Sequence, residues 1–375
     1  MAPRWALVLW VVLNASAFQA GQRPKKMPDR HDDSGDVAFW GHGAETVASF
    51  GSNERYFGVL EAGDGAVWLT SRDDESPPRL RARHTLLRTN GTASALAGGD
   101  PLLFVDSKSA GHNMCAAFWR DELVAFGGQD QDTTRHYPWG VGIVGLRRSR
   151  SEVAAAAPYR MEAPVVLRGT HDGCIERRSG LQKICEFDGK LSVVAPHRGR
   201  VLLYARANTQ PRGGARFLQV ASAPESAPFL DSEDAWGPFE LVHIQGYDAT
   251  VSTNNIYFGA INANPADPGS VIGAFPVSLA GKTAFVAVAV SCDGVHFSRL
   301  ERVLKSTTSE GGRTTDHPVD GLVLRDGDVS LYVHRDVPLI SRGHSRIVRL
   351  RMPLGALANY TNVAKRTLPG CAGAD

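Results

Sequence analysis

Acidic, amide and imidazole side chains recur in this chain at the heads of short apolar runs. Glu186 and Asp188 precede Leu191-Ser192-Val193-Val194, and Asp316, His317 and Asp320 precede Leu322-Val323-Leu324. Asn254 and Asn255 lead into Ile256-Tyr257-Phe258, and His112 and Asn113 lead into Met114-Cys115-Ala116-Ala117-Phe118. Two carboxyl groups in one pocket, one kept protonated and one ionised, are what acid–base cleavage of a glycosidic bond requires. Amides and imidazoles beside them supply donors and acceptors for a polyhydroxylated ligand. Residues two apart on an extended strand face one side, so Glu186 and Asp188 make one working carboxylate with a neighbour that tunes it. Asp320, or Asp316 four positions earlier, is the opposing group. A single Asp-Gly pair is equally a tight turn that needs positive φ at glycine, so the functional reading rests on the shared position of these groups in a repeat.

That repeat has two interleaved series. Asn113, Asp188, Asn255 and Asp320 are separated by 75, 67 and 65 residues, each followed by an apolar strand. A second set of strands ends in Ser- or Asp-rich turns at Ser71, Ser149, Ser222 and Ser291, at intervals of 78, 73 and 69 residues, with Ser345-Arg346-Ile347-Val348-Arg349-Leu350 following. Runs such as Val201-Leu202-Leu203-Tyr204, Phe285-Val286-Ala287-Val288 and Val329-Ser330-Leu331-Tyr332-Val333 are bounded by Gly, Asp, Asn or Pro, and hardly any stretch sustains a helical period. Units of four strands with their turns match propeller blades. About 340 residues in units of roughly 68 make five, so the expected fold is all-β, a five-bladed β-propeller over 36–365 with four-stranded antiparallel blades around a central channel. The competing architecture is a β-sandwich with coincidental spacing. In a propeller the innermost strands line the channel, so the heads of the first series converge at one axial mouth.

The remaining sequence bounds the setting. With 375 residues, 43% hydrophobic and 21% charged, the chain has an ordinary globular composition. A net charge of +2 supplies no electrostatic footprint for nucleic acid. Residues 1–20 read as a secretory signal, with Arg4 ahead of the apolar run Trp5 to Leu13, cleaved after Ala17 or Ala20; the run is too short to span a bilayer. Residues 21–35 read as a flexible leader and 366–375 as a C-terminal tail. Asn90 and Asn359 head glycosylation sequons. Five cysteines leave at least one unpaired or bonded to another chain, and Cys174 with Cys185 is the expected disulfide. Cysteine and histidine spacings offer no zinc site, so neither a metal nor a cofactor is expected.

The stretch Cys185-Glu186-Phe187-Asp188-Gly189-Lys190-Leu191-Ser192-Val193 leading to Arg200-Val201-Leu202-Leu203-Tyr204-Ala205-Arg206-Ala207, with Ser291-Cys292-Asp293-Gly294-Val295-His296-Phe297, resembles five-bladed propeller glycoside hydrolases. These comprise the arabinanase, invertase and levansucrase superfamily with its sialidase-like relatives. The resemblance spans most of 105–350 and implies a funnel-shaped sugar site with a base or nucleophile, an orienting aspartate and a glutamate acid. Asp188 matches the acid at the head of an inner strand, with Glu186 beside it. Asp36 is the only offer for the first-blade aspartate and lacks the flanking Asn-Asp-Pro pattern, while Asn113 holds the second-blade position and can serve neither as proton donor nor as nucleophile. Arg206 would place a guanidinium at the same mouth, suited to a carboxylate or sulfate on a sugar. The turn at Ser291 to Phe297 is read as an ordinary blade turn. Glu186, Asp188 and Asp320 are thus the expected catalytic residues of a secreted glycoside hydrolase. His112, Asn113, Arg206, Asn254, Asn255, Asp316 and His317 are expected to bind its carbohydrate or glycoconjugate substrate. A catalytically silent glycan- or protein-binding propeller, and a structural domain whose channel is filled by side chains, are the alternatives. The sequence leaves the sugar and the oligomeric state open.

Overall fold

The computed structural model describes residues 44–50, 54–61, 66–73, 82–89, 101–105, 114–128, 142–149, 165–177, 184, 185, 187, 189–210, 215–280, 282–308, 314–337 and 345–371. Among these the chain begins with β1 (Glu45–Phe50), followed by a group made of β2 (Glu54–Glu61), β3 (Ala66–Asp73), β4 (Ala82–Thr89) and β5 (Pro101–Val105). A second group holds β6 (Cys115–Trp119), β7 (Glu122–Gly128), β8 (Gly142–Ser149) and β9 (Val165–Arg168). The third holds β10 (Ser192–His197), β11 (Arg200–Asn208), β12 (Arg216–Pro224) and β13 (Glu240–Leu241). The fourth holds β14 (His243–Ile244), β15 (Asn255–Ile256), β16 (Ala260–Ala263), β17 (Val271–Leu279), β18 (Thr283–Ser291), β19 (His296–Phe297) and β20 (Glu301–Ser306). Last come β21 (His317–Arg325), β22 (Asp328–Arg335), β23 (Ser345–Pro353) and the helix α1 (Leu354–Lys365).

In the first, second, third and last groups the strands meander antiparallel in chain order; in the fourth, β15 and β16 both pair with β17, β17 with β18 and β18 with β20, all antiparallel, while β14 pairs in parallel with β19. β1 returns to pair with β23, placing Thr46 opposite Val348. The N-terminal strand thereby completes the last group. The leading strands touch in sequence: β2 contacts β6, β6 contacts β10, β10 contacts β16, β16 contacts β21, and β21 contacts β2, where Gly58 lies opposite Asp320 in a parallel bridge. Cys115 to Phe118, Ser192 to Val194 and Val319 to Leu324, all in the first repeat series, fall on these leading strands, with Asn255-Ile256 forming the short β15 ahead of β16. The second series marks the third strand of its group at Ser149, Ser222, Ser291 and Ser345 but the second strand, β3, at Ser71. Serine spacing carries no information about which strand of a meander it ends, and the first group shows this.

The continuous apolar runs follow from burial on both faces. Along β11, Val201, Leu203 and Ala205 pack against the second group, with Phe126 and Trp236. The alternate residues Leu202 and Tyr204 pack against Phe275, Val277 and Phe285 of the fourth group. Val286, Val288 and Val290 of β18 point the other way, onto Leu331 and Val333 of β22. The third and fourth sheets are therefore core on two sides, which removes the hydrophobic-in, polar-out alternation of a one-sided sheet.

The helix departs from the strand-only expectation. Pro353 stands at its N-cap with φ of −56°, and its imino nitrogen suits a helix start. Leu357 and Thr361, one turn apart, are buried, and Lys365 in the last turn ion-pairs with Asp267 at 2.8 Å. Cys174 and Cys185 form a disulfide as expected, with Cα atoms 6.1 Å apart. A second, unforeseen one joins Cys292 to Cys371, with Cα atoms 5.3 Å apart. It binds residues that were read as a tail to the turn after β18, and Arg198 adds a hydrogen bond to the Gly370 carbonyl at 3.1 Å. Cys115 is a free, buried thiol. No helix among the described residues is long and apolar enough to cross a membrane.

Candidate functional site

Two polar clusters lie where the leading strands meet, one deep and one toward the strand heads. The deep cluster forms around Asp320. The ladder between β21 and β22 shifts register between Pro318 and Leu322, and within that bulge Gly321 adopts φ +123°. A Cβ at Gly321 would fall 1.8 Å from the Val59 carbonyl oxygen, so only glycine lets β21 lie against β2 here. The bulge brings the Asp320 carboxylate to Ser192, whose Oγ is 2.9 Å from Oδ1, and to the Lys190 ammonium, 3.8 Å from Oδ2. Asn262 of β16 also bonds to the carboxylate. Lys190 is 1% exposed, and its ammonium donates to the Met114 carbonyl. Ser192 Oγ accepts from the Ile261 amide at 2.9 Å and lies 2.8 Å from the Ile261 carbonyl oxygen.

Burial decides the electrostatics of this cluster. Desolvation pushes the Asp320 carboxyl up to about 6, against the pull of Lys190, Ser192 and Asn262. The same desolvation lowers the Lys190 ammonium below its ordinary value, with Asp320 and Cys115 acting the other way. Burial also raises the Cys115 thiol. Both members of the ion pair thus shift toward their neutral forms, because the mutual attraction does not offset the lost hydration.

The outer cluster draws on three groups of strands. Arg206, near the end of β11, is 3% exposed and sets its guanidinium 4.3 Å above the Tyr257 ring. Arg216, at the start of β12, stands 5.5 Å from the same ring. His317, at the head of β21, stacks on Tyr257 with centroids 5.4 Å apart and planes 21° apart, and meets Phe258 edge-on. The backbone fixes Arg206 in place. Gly189 lies so close that a Cβ there would come within 2.8 Å of Arg206 Nε. The fully buried Gln219 donates to the Arg206 carbonyl at 2.7 Å and accepts from the Ile175 amide at 2.8 Å, which stitches the disulfide loop to this strand.

Of the residues singled out in the sequence, the structure brings Arg206 and His317 together on Tyr257 and sets Asp320 beneath them. Asp316 is 1% exposed; its Oδ2 lies 3.3 Å from Arg335 Nη2 and its Oδ1 accepts from the Asp336 amide at 3.1 Å. Asn255 is buried opposite Ser278 on β17, whereas Asn254 bonds locally, donating to the Asp248 carbonyl at 3.3 Å. Glu186, Asp188, His112, Asn113, Asp36 and Asn90 lie outside the described residues, as do the signal and leader; Cys185, Phe187 and Gly189, which flank the first two, are buried. Asn359 is exposed on α1, while Thr361 of the same sequon is buried and accepts from Asn264 at 2.9 Å. Among the described residues no three His, Cys, Asp or Glu side chains gather as metal ligands.

Lys190, Ser192, Asn262, Tyr257 and Arg216 were not anticipated. For Lys190 a signal existed: a lysine inside Gly189-Lys190-Leu191-Ser192-Val193, at the head of an apolar strand, is rarely buried unless paired. Tyr257 and Arg216 had none, because their meeting depends on the packing of the third group on the fourth.

No family model and no curated protein matches the sequence. Solved structures do match. The GH43_1 enzyme from Xanthomonas citri complexed with xylose aligns with a TM-score of 0.52 at 14% identity, over 82% of this chain and 89% of that one. The chain shares its fold. The same enzyme complexed with xylotriose aligns with a TM-score of 0.51 at 14% identity over the same shares. A structure described as a glycoside hydrolase aligns at 0.52 and 10% identity, over 82% of this chain and 90% of that one. The likeness to glycoside hydrolases read from short motifs is thus met at the level of the fold.

Proposed function

We propose that this chain is a secreted carbohydrate-active protein whose five strand groups are the blades of a β-propeller, and that it hydrolyses a glycosidic bond at the mouth of the leading strands. The observation that carries the reading is the convergence of Arg206, Tyr257 and His317 from three groups at one end of a fold shared with sugar-bound enzymes. An aromatic ring flanked by fixed cationic donors is suited to a sugar ring and its hydroxyls. Glu186 and Asp188, which lie outside the described residues, are the proposed acid and base; in sequence they stand between the disulfide-bonded Cys185 and the buried Lys190. Asp320, buried in its ion pair, is assigned to fixing Lys190 beneath them. Two disulfides fit an oxidising compartment, and Asn90 and Asn359 are the proposed glycan carriers.

The test is release of reducing sugar from a panel of plant, algal and bacterial glycans by the wild type, Glu186→Gln and Asp188→Asn. Turnover that falls by about a thousandfold or more in either variant, with an unchanged unfolding midpoint, supports the reading. Turnover untouched by both removes the assignment. A second reading draws on the ion pairs that occupy Asp316 and Asp320: the mouth binds glycans without cleaving them. Saturable binding on a glycan array with no released product selects it.

A further inference from the structure

On the face of β11 and β12 that packs toward the second group, Val201, Leu203, Ala205, Ala221 and Ala223 are apolar core. Gln219 interrupts this face. It lies opposite Ala205 in the ladder, two residues before Ala221, and is fully buried. An amide in such a place costs stability unless its own bonds are made, so its partners define its role. Its Oε1 accepts from the Ile175 amide at 2.8 Å, while its Nε2 donates to the Arg206 carbonyl at 2.7 Å and meets Cys185 Sγ at 3.3 Å. Reversing the amide would set N–H against N–H and oxygen against oxygen, so one orientation alone satisfies these partners.

Two of the three partners belong to the loop that the Cys174–Cys185 disulfide closes. The loop is held to the end of β11 by backbone bonds from the Asn208 amide to the Ile175 carbonyl, 3.1 Å, and from the Arg177 amide to the Asn208 carbonyl, 2.9 Å. It is held to β9's end by the Cys185 amide, which donates to the Gly169 carbonyl at 2.8 Å. Phe187 is buried with its ring 5.6 Å from that of Phe239, and its φ of +49° is a left-handed backbone that an aromatic residue keeps where its surroundings impose it. The chain is thus tied at Cys185 and at Phe187, the two residues that flank Glu186. Gln219 joins the first of these ties to the strand that carries Arg206.

We propose that Gln219 is a positioning residue, which holds the peptide leading into Glu186 in register with the Arg206 strand. This rests on the hydrolytic reading above, in which Glu186 works on the bond, and adds to it a fully buried residue that acts through its neighbours.

Steady-state kinetics of the full chain on the glycan it cleaves fastest test the proposal. Gln219→Met keeps the length of the side chain and loses its hydrogen bonds to Ile175 and Arg206. The control is Tyr204→Phe, on the other face of β11, which loses one buried bond from the Tyr204 hydroxyl to the Gly294 carbonyl at 2.8 Å. In Gln219→Met kcat falls about tenfold to a hundredfold with KM within about twofold, and amide hydrogen exchange quickens in peptides covering 170–190; Tyr204→Phe keeps both constants. Gln219→Glu guards against a misfolded methionine variant. Its carboxyl, once protonated, both donates and accepts as the amide does, so its kcat relative to wild type rises as pH falls from about 8 to about 5. Wild-type kcat in Gln219→Met, an equal fall in Tyr204→Phe, or a Gln219→Glu ratio that does not change with pH overturns the proposal and leaves hydrolysis in place. A wild type that cleaves no glycan, or whose turnover survives Glu186→Gln, overturns the hydrolytic reading itself and this role of Gln219 with it.

Discussion

Asp320 and His317 sit three residues apart on β21, yet they belong to regions with opposite physical character. Around Asp320 everything is dry: an ammonium and a carboxylate face each other, and both are driven toward neutrality by burial. Around His317 an aromatic ring collects imidazole and guanidinium groups, one of them reaching the surface. The bulge at Gly321 separates the two regimes, bringing Asp320 to Lys190 and Ser192 while His317 at the strand head stacks on Tyr257. Polar residues on one leading strand are therefore not of one kind; their place along the strand decides whether a charge is locked in a dry ion pair or joins the aromatic cluster.

The largest effect that separates the two regions belongs to Lys190. Replacement by Met leaves the Asp320 carboxylate buried beside an apolar chain, and urea unfolding should show a loss of about 3–5 kcal/mol. The double variant Lys190→Met with Asp320→Leu should recover most of that loss, since paired apolar side chains avoid the desolvation cost. A Lys190→Met protein as stable as the wild type would show that the deep cluster is not a buried ion pair. Next comes the C-terminal closure. Cys292 and Cys371 are 79 positions apart in sequence, so Cys292→Ser should cost about 4 kcal/mol by loop closure and lower the thermal midpoint accordingly. Substitution at the mouth should cost less stability, about 1–2 kcal/mol for Arg206→Gln, while impairing sugar binding far more than Lys190→Met does once that variant is refolded at low temperature.

Much of this arrangement was legible in the sequence because burial on both faces leaves a continuous apolar run and each leading strand begins with polar residues. The regular spacing of Asn113, Asp188, Asn255 and Asp320 therefore falls on or just ahead of β6, β10, β16 and β21 in sequence, and Arg206 lies near the end of β11, the strand paired with β10, as its sequence position implied. The first-group strand β2 escaped notice because its polar head, Glu54-Arg55, stands 59 residues before Asn113, short of the 65 to 75 that separate the other members of the series. The helix α1 escaped because only Leu357 and Thr361 form its buried stripe, too short to register as a period of 3.6. The Tyr257 platform could not be read from sequence at all. Its partners lie 51 residues upstream, 41 residues upstream and 60 residues downstream, joined only by the packing of three sheets.

The deep cluster also predicts a pH signature that the mouth lacks. The folded-state value of Asp320, about 6, lies above its ordinary 3.8, so the folded protein binds this proton more tightly than the unfolded chain. Its contribution to stability is full below about pH 4 and is lost as pH rises through about 6, on the order of 1–3 kcal/mol. Unfolding curves at pH 4 to 8 should show this limb as a difference between the wild type and Asp320→Asn. Identical pH profiles would place Asp320 in contact with water. The smallest expected effect is that of Arg302→Gln, an exposed arginine on β20 whose guanidinium lies 4.5 Å from the Phe285 ring, within about 0.5 kcal/mol of wild-type stability and without change in sugar binding.

The most direct measurement is a crystal structure of the Asp188→Asn protein soaked with an oligosaccharide from the panel. The account predicts a sugar ring against Tyr257 and Arg216, with Glu186 and position 188 on either side of one glycosidic oxygen and no sugar beside Lys190. A sugar bound elsewhere on the molecule, or side chains 186 and 188 directed away from an occupied mouth, would contradict it.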